Sequence, residues 1–297
     1  HNAAAPVVLI SEMVLPADSL GTEADRARPQ EPDPGRIDTR RSRNFAQRVL
    51  LPVLQRCDDQ RVILGHRTRN SRMTIACGMD HTVQTDCAYS VETNCGEDRA
   101  GVVYMIDARP GLSFRITKFI SYQTSHSAPV PALADRAVRT LDRSCAKGWE
   151  SIADSQRRYV QDFWRRSDIQ ITGDQRVQQS LRWNLFQLLQ ASARVEGTGI
   201  GARGLTGQTY EGHYFWDTEI YLLPFLIYTT PRIAGNLLKF RHSLLPAARR
   251  RAKQVGERGA LFPWRTINGE EASAYYAAGT AQYHIDADIV YAIRKYV

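Results

Sequence analysis

"SHSAPVPALADRA", residues 125–137, divides the chain into two regimes. Upstream, short β-branched runs punctuated by Gly, Pro and Asn recur: "RVILGHR" (61–67), "SRMTIACGMDH" (71–81) and "AGVVYMIDARPG" (100–111). "LSFRITKFISY" (112–122) alternates Leu112, Phe114 and Ile116 inward against Ser113, Arg115 and Thr117, the two-residue period of a half-buried strand. Strands in series of this kind predict an antiparallel sandwich. Between them, "GTEADRARPQEPDPGRIDTRRSRN" (21–44) is too polar and Pro-rich for a core strand and is expected to be a loop or covering segment.

Downstream the period changes. A first helical turn tolerates proline, and from Ala132 the apolar residues recur at helical spacing. Helices are predicted over 131–147, 150–166, 176–195, 218–228, 231–243, 244–256 and 282–297. Ahead of the third, Asp174 is placed to cap, and Val177, Leu181, Leu185, Leu188 and Leu189 form one apolar stripe. The last helix reaches "AIRKYV" with no Gly, Pro or cap after it, and "HNAAAPVVLISEMVLP" has neither an initiator Met nor a basic leader. A fragment cut at both ends is expected.

At 297 residues the chain has room for one large domain or two smaller ones with real cores. Its 43% hydrophobic and 24% charged residues set aside a disordered or fibrous class. No run of eighteen apolar residues exists, which argues against a membrane-spanning helix and a membrane partner. The net charge of +8 would suit an anionic partner, yet only "AARRRAK" (247–253) clusters, so no nucleic-acid binding is expected. The five cysteines, Cys57, Cys77, Cys87, Cys95 and Cys145, show no CxxC spacing. Neither a zinc site nor a disulfide framework follows, and reduced thiols in a cytoplasmic protein are expected.

Three stretches carry polar and aromatic residues dense enough for a site. In "GQTYEGHYFWDTEIYLLPF" (207–225), Trp216 and Asp217 offer the flat apolar surface and the carboxylate that a sugar needs. Spacing alone favours Asp217 as a plain helix cap, with Glu219 in the first turn and Trp216 in the core, since such caps are common. "GTGIGARGLTG" (197–207) lacks the Lys-Ser/Thr ending of a P-loop; its glycines would let backbone approach a ligand or a neighbouring helix. In "GALFPWRTINGEEASAYYAAGTAQYHIDADIVYA" (259–292), Trp264, Arg265, Glu270, Glu271, Tyr275, Tyr276, Gln282 and His284 surround an Asn268-Gly269 turn and suit a polar pocket. His284 and Asp288 stand four apart, but no further ligand accompanies them, so no metal is expected. The GxSxG signature of a serine hydrolase is absent.

These stretches, with "DIQITGDQRVQQSLRWNLF" and "NLFQLLQASAR", resemble glycoside hydrolase family 65 from about residue 60 to the end. The resemblance implies an inverting disaccharide phosphorylase (of maltose, trehalose, trehalose 6-phosphate, kojibiose or nigerose), with an acid trehalase-type hydrolase or a non-catalytic sugar-binding module as alternatives. It implies an N-terminal β-sandwich over 1–128, a helical linker over 129–175 and the first part of an (α/α)6 barrel over 176–297. Trp216 and Asp217 would then line the subsite of the transferred glucosyl residue, and Trp264 and Arg265 would lie near the acceptor. Arg265 stands where some members carry an acidic residue, which suggests an acceptor bearing a phosphate. The family's general acid is a Glu in a "GPDEYH"-like motif, expected beyond residue 297. No catalytic residue is therefore assigned here, Glu219, Glu270 and Glu271 included, and the 297-residue chain by itself is expected to be inactive. Inorganic phosphate is the implied co-substrate, with no cofactor, and a homodimer is implied for the full-length protein.

Overall fold

The computed structural model describes residues 4–15, 48–69, 71–192, 197–205, 209–273 and 281–297. The loop expected over 21–44 lies outside these residues. The chain divides into two compact units, with the boundary between Arg158 and Tyr159.

The first unit is built from seven antiparallel strands. They are β1 (Ala5–Val14), β2 (Leu50–Asp58), β3 (Arg61–Thr68), β4 (Thr74–Thr85), β5 (Tyr89–Cys95), β6 (Arg99–Ala108) and β7 (Phe114–Ser125). One sheet has the order β1-β6-β5 and the other β2-β3-β4-β7. Alternate residues explain why they pack. Val102, Tyr104 and Ile106 of β6 share a core with Val62 and Leu64 of β3 and Cys77 and Met79 of β4. A sandwich results, as the strand patterning requires. His81 of β4 ties the sheets together: its Nδ1 is 3.1 Å from the Gln60 carbonyl and its Nε2 2.8 Å from Ser11 Oγ on β1.

The four-stranded sheet is covered on its other face as well. The helix α1 (Val130–Ser167) lays Leu133, Ala134, Ala137 and Leu141 on Ile63, Ala76 and Phe119. Full burial of Leu133 and Leu141 contributes about 2 kcal/mol each. Gly78 permits the close approach, since a Cβ there would lie 2.6 Å from Ile63 Cδ1 and 2.9 Å from Leu141 Cδ1. Having two covered faces corrects the predicted inward set. Phe114 and Ile116 do pack in the sandwich core, but Phe119, of opposite parity, meets the helix, and Leu112 precedes β7 and is 39% exposed. Within α1, Gly148 has φ 74° and ψ 164°, which separates the two helices predicted over 131–147 and 150–166.

The thiol expectation is corrected too. Cys57 on β2 and Cys95 on β5 form a disulfide between edge strands of the two sheets, 38 residues apart in sequence. Sheet stacking creates that proximity, so no local spacing announces it. Cys77, Cys87 and Cys145 remain free thiols. Burial pushes Cys77 up to about 12 and Cys145 up to about 11, which leaves both unreactive near neutral pH.

The second unit is helical. It contains the end of α1, then α2 (Gln175–Ala191), α3 (Leu223–Thr229), α4 (Pro231–Ser243), α5 (Leu245–Gln254) and α6 (His284–Tyr296). Asp174 caps α2 as expected, its Oδ1 accepting from Arg176 N at 2.8 Å. Leu185 and Leu189 of the predicted stripe are buried against Phe163, but Val177 is 49% exposed, one turn short of that contact. The helix predicted over 218–228 opens instead as a widened π turn, Thr218–Leu222, before α3 begins. Leu223, Leu226, Ile233, Ala234, Leu237 and Ala292 form the core that joins α3, α4 and α6. Among the described residues, no helix is long and apolar enough to cross a membrane.

Candidate functional site

Two of the predicted stretches are joined directly. Tyr214 and Thr266 form an isolated antiparallel bridge, Tyr214 N donating to the Thr266 carbonyl at 2.7 Å and Thr266 N returning a bond at 3.2 Å. The bridge sets "HYFWD" beside "PWRT". Buried Phe215 packs edge-on to Trp264 with ring centroids 5.6 Å apart, and to Tyr210 at 5.2 Å. Trp216, the next residue, is half-buried: it meets the His284 ring edge-on at 5.0 Å and lies tilted to Tyr221 at 6.1 Å. The first turn of α6 therefore stands beside Trp216, and the pocket residue His284 gains a ring partner that sequence spacing did not indicate.

Asp217 is exposed and has φ −51° and ψ −31°. It makes no capping hydrogen bond. A capping residue needs extended backbone so that its side chain can fold back on the next turn, and Asp217 is already helical. The cap alternative is thereby overturned. Its side chain is exposed at the surface, and it follows Trp216 directly in the chain.

Glu219 has the opposite environment. It is 1% exposed, and both its oxygens are taken by Arg241 of α4, 3% exposed: Nε donates to Oε1 at 2.6 Å and Nη2 to Oε2 at 3.0 Å. A carboxylate committed in this way is poorly placed to donate a proton to a substrate. Nothing in the sequence points to Arg241, which is 22 residues away on another helix.

The Trp264–Arg265 loop is shaped by Glu271. Its Oε2 accepts from Trp264 N at 2.8 Å, and its Oε1 accepts from Arg265 N at 3.3 Å and Ser273 N at 2.9 Å. Arg265 is itself buried, with Nη2 3.4 Å from His213 Nδ1. The predicted Asn268-Gly269 turn is present, with Gly269 at φ 96° and its N–H donating to Thr266 Oγ1 at 2.7 Å. Asp286 of α6 ties down the loop's start, accepting from Phe262 N at 3.2 Å, and its burial pushes the carboxyl above the usual range. Tyr275 and Tyr276 lie outside the described residues.

The glycine-rich stretch packs behind this wall. A Cβ on Gly199 would lie 2.8 Å from Phe240 Cε1 and 3.0 Å from Tyr214 Cε1, so backbone here approaches a helix and a ring. Ala202 N donates to the His213 carbonyl at 3.0 Å, fixing the loop to the residue before the Tyr214 bridge. His284 Nδ1 lies 2.8 Å from Asp288 Oδ2 and Nε2 3.0 Å from Gln282 Oε1. Among the described residues, no group of three His, Cys, Asp or Glu side chains could hold a metal ion. A separate cleft of about 970 Å³, lined by Trp164, Gln178, Arg182, Trp183 and Phe186, includes none of the predicted site residues.

Residues 21–163 match the family model described as the glycosyl hydrolase family 65 N-terminal domain, and residues 182–297 match that of the family's central catalytic domain. The chain belongs to glycosyl hydrolase family 65. This family 65 chain is 43% identical over 260 residues to an α,α-trehalose phosphorylase of Thermoanaerobacter brockii, an alignment covering 88% of the chain and 34% of that relative. It is 35% identical over 179 residues to a kojibiose phosphorylase of Halothermothrix orenii, covering 55% of the chain and 23% of the relative. A solved structure named as a putative kojibiose phosphorylase from the human microbiome aligns with TM-score 0.78 and 24% identity, over 99% of this chain and 36% of that one. That likeness shows the fold: antiparallel sheets followed by helices. The matches span about a quarter to a third of the length of these relatives.

Proposed function

We propose that this chain forms part of an inverting disaccharide phosphorylase, with α,α-trehalose as first candidate substrate and kojibiose as second. Trp216 and Asp217 hold the glucosyl residue that is transferred, and Trp264 and Arg265 face the acceptor sugar. The observation that carries this is the exposed, uncapped Asp217 directly following the half-buried Trp216, in a chain 43% identical over 260 residues to a trehalose phosphorylase. A carboxylate accepts bonds from adjacent hydroxyls, while an indole face covers the apolar side of the ring.

In the reaction a phosphate oxygen attacks the anomeric carbon opposite the glycosidic bond. The leaving oxygen takes a proton from a carboxylic acid, giving β-glucose 1-phosphate and a free sugar. Phosphate arrives already anionic, so a second carboxylate to activate water is unnecessary. None of the described carboxylates is assigned as proton donor; that group is proposed to lie beyond residue 297. The division into sandwich, linker and the first helices of an (α/α)6 barrel, with a homodimeric full-length enzyme, belongs to the same proposal. So does a cytoplasmic location, where a charged sugar phosphate would be retained and the Cys57–Cys95 bond would be open to reduction.

The test is turnover by the complete gene product of α,α-trehalose, kojibiose and maltose, with and without inorganic phosphate. Turnover that requires phosphate is expected, whereas equal glucose release without it would establish a trehalase-type hydrolase instead. Comparing trehalose with trehalose 6-phosphate decides whether Arg265 recognises a phosphate on the acceptor, and equal kcat/KM would remove that role.

A further inference from the structure

We infer that the buried Glu219–Arg241 pair is a positioning device for Trp216 and Asp217 and not a stabiliser of the fold. The inference rests on the sugar-holding role proposed for those two residues. Two charges taken out of water lose their hydration, and an apolar pair of similar volume often serves stability as well or better. The pairing here is also incomplete. Arg241 Nη1 is buried with no hydrogen-bond partner among the described residues, and Arg241 and Glu219 line a cavity of about 10 Å³ with Gly199, Tyr214 and Thr218. Stability alone therefore gives little reason for an ion pair at this place.

Its placement gives one. Glu219 N donates to the Trp216 carbonyl at 3.0 Å, and Thr218 N to that of Phe215 at 3.4 Å, so moving Glu219 moves the indole-bearing turn. The turn from Thr218 to Leu222 is a π turn, whose widened ladder leaves it less determined by its own backbone bonds than an α-helix. Arg241 projects from α4, which is anchored by buried Ile233, Ala234, Leu237 and Phe240. Phe240, the adjacent residue, packs edge-on against Tyr214 at 4.8 Å, and Tyr214 bridges to Thr266. One helix end thus grips both sides of the site: Arg241 fixes the Trp216–Asp217 turn through Glu219, and Phe240 fixes the Trp264–Arg265 loop through Tyr214.

The deciding variant is the double substitution Glu219→Leu/Arg241→Met, which removes both charges and leaves neither buried alone. In the complete gene product, kcat is expected to fall about 100-fold, the scale of an ångström-size misplacement, with KM for phosphate changed less than threefold. Melting temperature should stay within a few degrees of wild type. A second readout does not depend on activity. With 5-fluorotryptophan in the complete gene product, the Trp216 ¹⁹F line, assigned by Trp216→Phe, should shift or split while the Trp164 and Trp183 lines, assigned in the same way, hold. An unmoved Trp216 line with unchanged kcat overturns the inference, as does a double variant that fails to fold, since the pair would then be a stabiliser. Should wild type turn over no disaccharide, the proposed activity fails, and the ¹⁹F line alone decides the positioning role.

Discussion

In Asp217→Ala the carboxylate removed is exposed, lies on helical backbone and caps nothing. A true N-cap lost to alanine would cost about 0.5–2 kcal/mol of stability, whereas an exposed side chain without partners costs within roughly 0.5 kcal/mol. The folded state should therefore be almost indifferent. Turnover should not be. A carboxylate accepting from two hydroxyls of a glucosyl ring makes two charge-assisted hydrogen bonds, each about 1.5–3 kcal/mol, or about 3–6 kcal/mol together. At about 1.4 kcal/mol per factor of ten, kcat/KM for the disaccharide should fall by roughly 10² to 10⁴. The assay pairs initial rates of phosphate-dependent turnover in the complete gene product with urea unfolding of the same preparation. A variant that loses more than about 1 kcal/mol of stability while keeping wild-type kcat/KM would refute the reasoning and return Asp217 to the role of helix cap.

Three further outcomes follow from the first unit. Gly78→Ala places a methyl against Ile63 and Leu141 and should lower unfolding stability by about 1–3 kcal/mol, read from the urea midpoint. Burial, opposed in part by the bond to Gln60, holds His81 below its ordinary pKa, so below about pH 6.5 the unfolded chain takes up a proton that the folded one refuses. Stability should fall as pH drops from about 6.5 toward the lowered folded value, and His81→Asn should flatten that part of the urea-midpoint profile. Removing the Cys57–Cys95 bond by Cys57→Ser/Cys95→Ser opens a 38-residue loop and should cost about 2–4 kcal/mol, matched by reduction of wild type with dithiothreitol.

What could be read from sequence follows the range of the physics involved. The β-branched run in 61–67, the alternation that begins β7, the Asp174 cap, the Asn268-Gly269 turn and the break near Gly148 are local, and each has a local signal. Periodicity puts Leu112 and Val177 inside, and both are exposed, because a periodic pattern gives a face but not where its cover ends. The disulfide, the Tyr214–Thr266 bridge and the Glu219–Arg241 pair depend on segments 22 to 52 residues apart meeting in space. No spacing rule reaches that far. Residue types alone marked the site's stretches, but not the division of labour among their acids: Asp217 exposed, Glu219 paired with Arg241 and Glu271 bonded to backbone N–H groups.

The most direct measurement is NMR of the products formed by the complete gene product from α,α-trehalose and inorganic phosphate, compared between wild type and Trp216→Ala at equal folded concentration. The β anomer of glucose 1-phosphate should accumulate first with wild type, and at least about 100-fold more slowly with the variant, on the scale set by losing substrate positioning. Formation of the α anomer, or equal rates from the two proteins, would contradict the account.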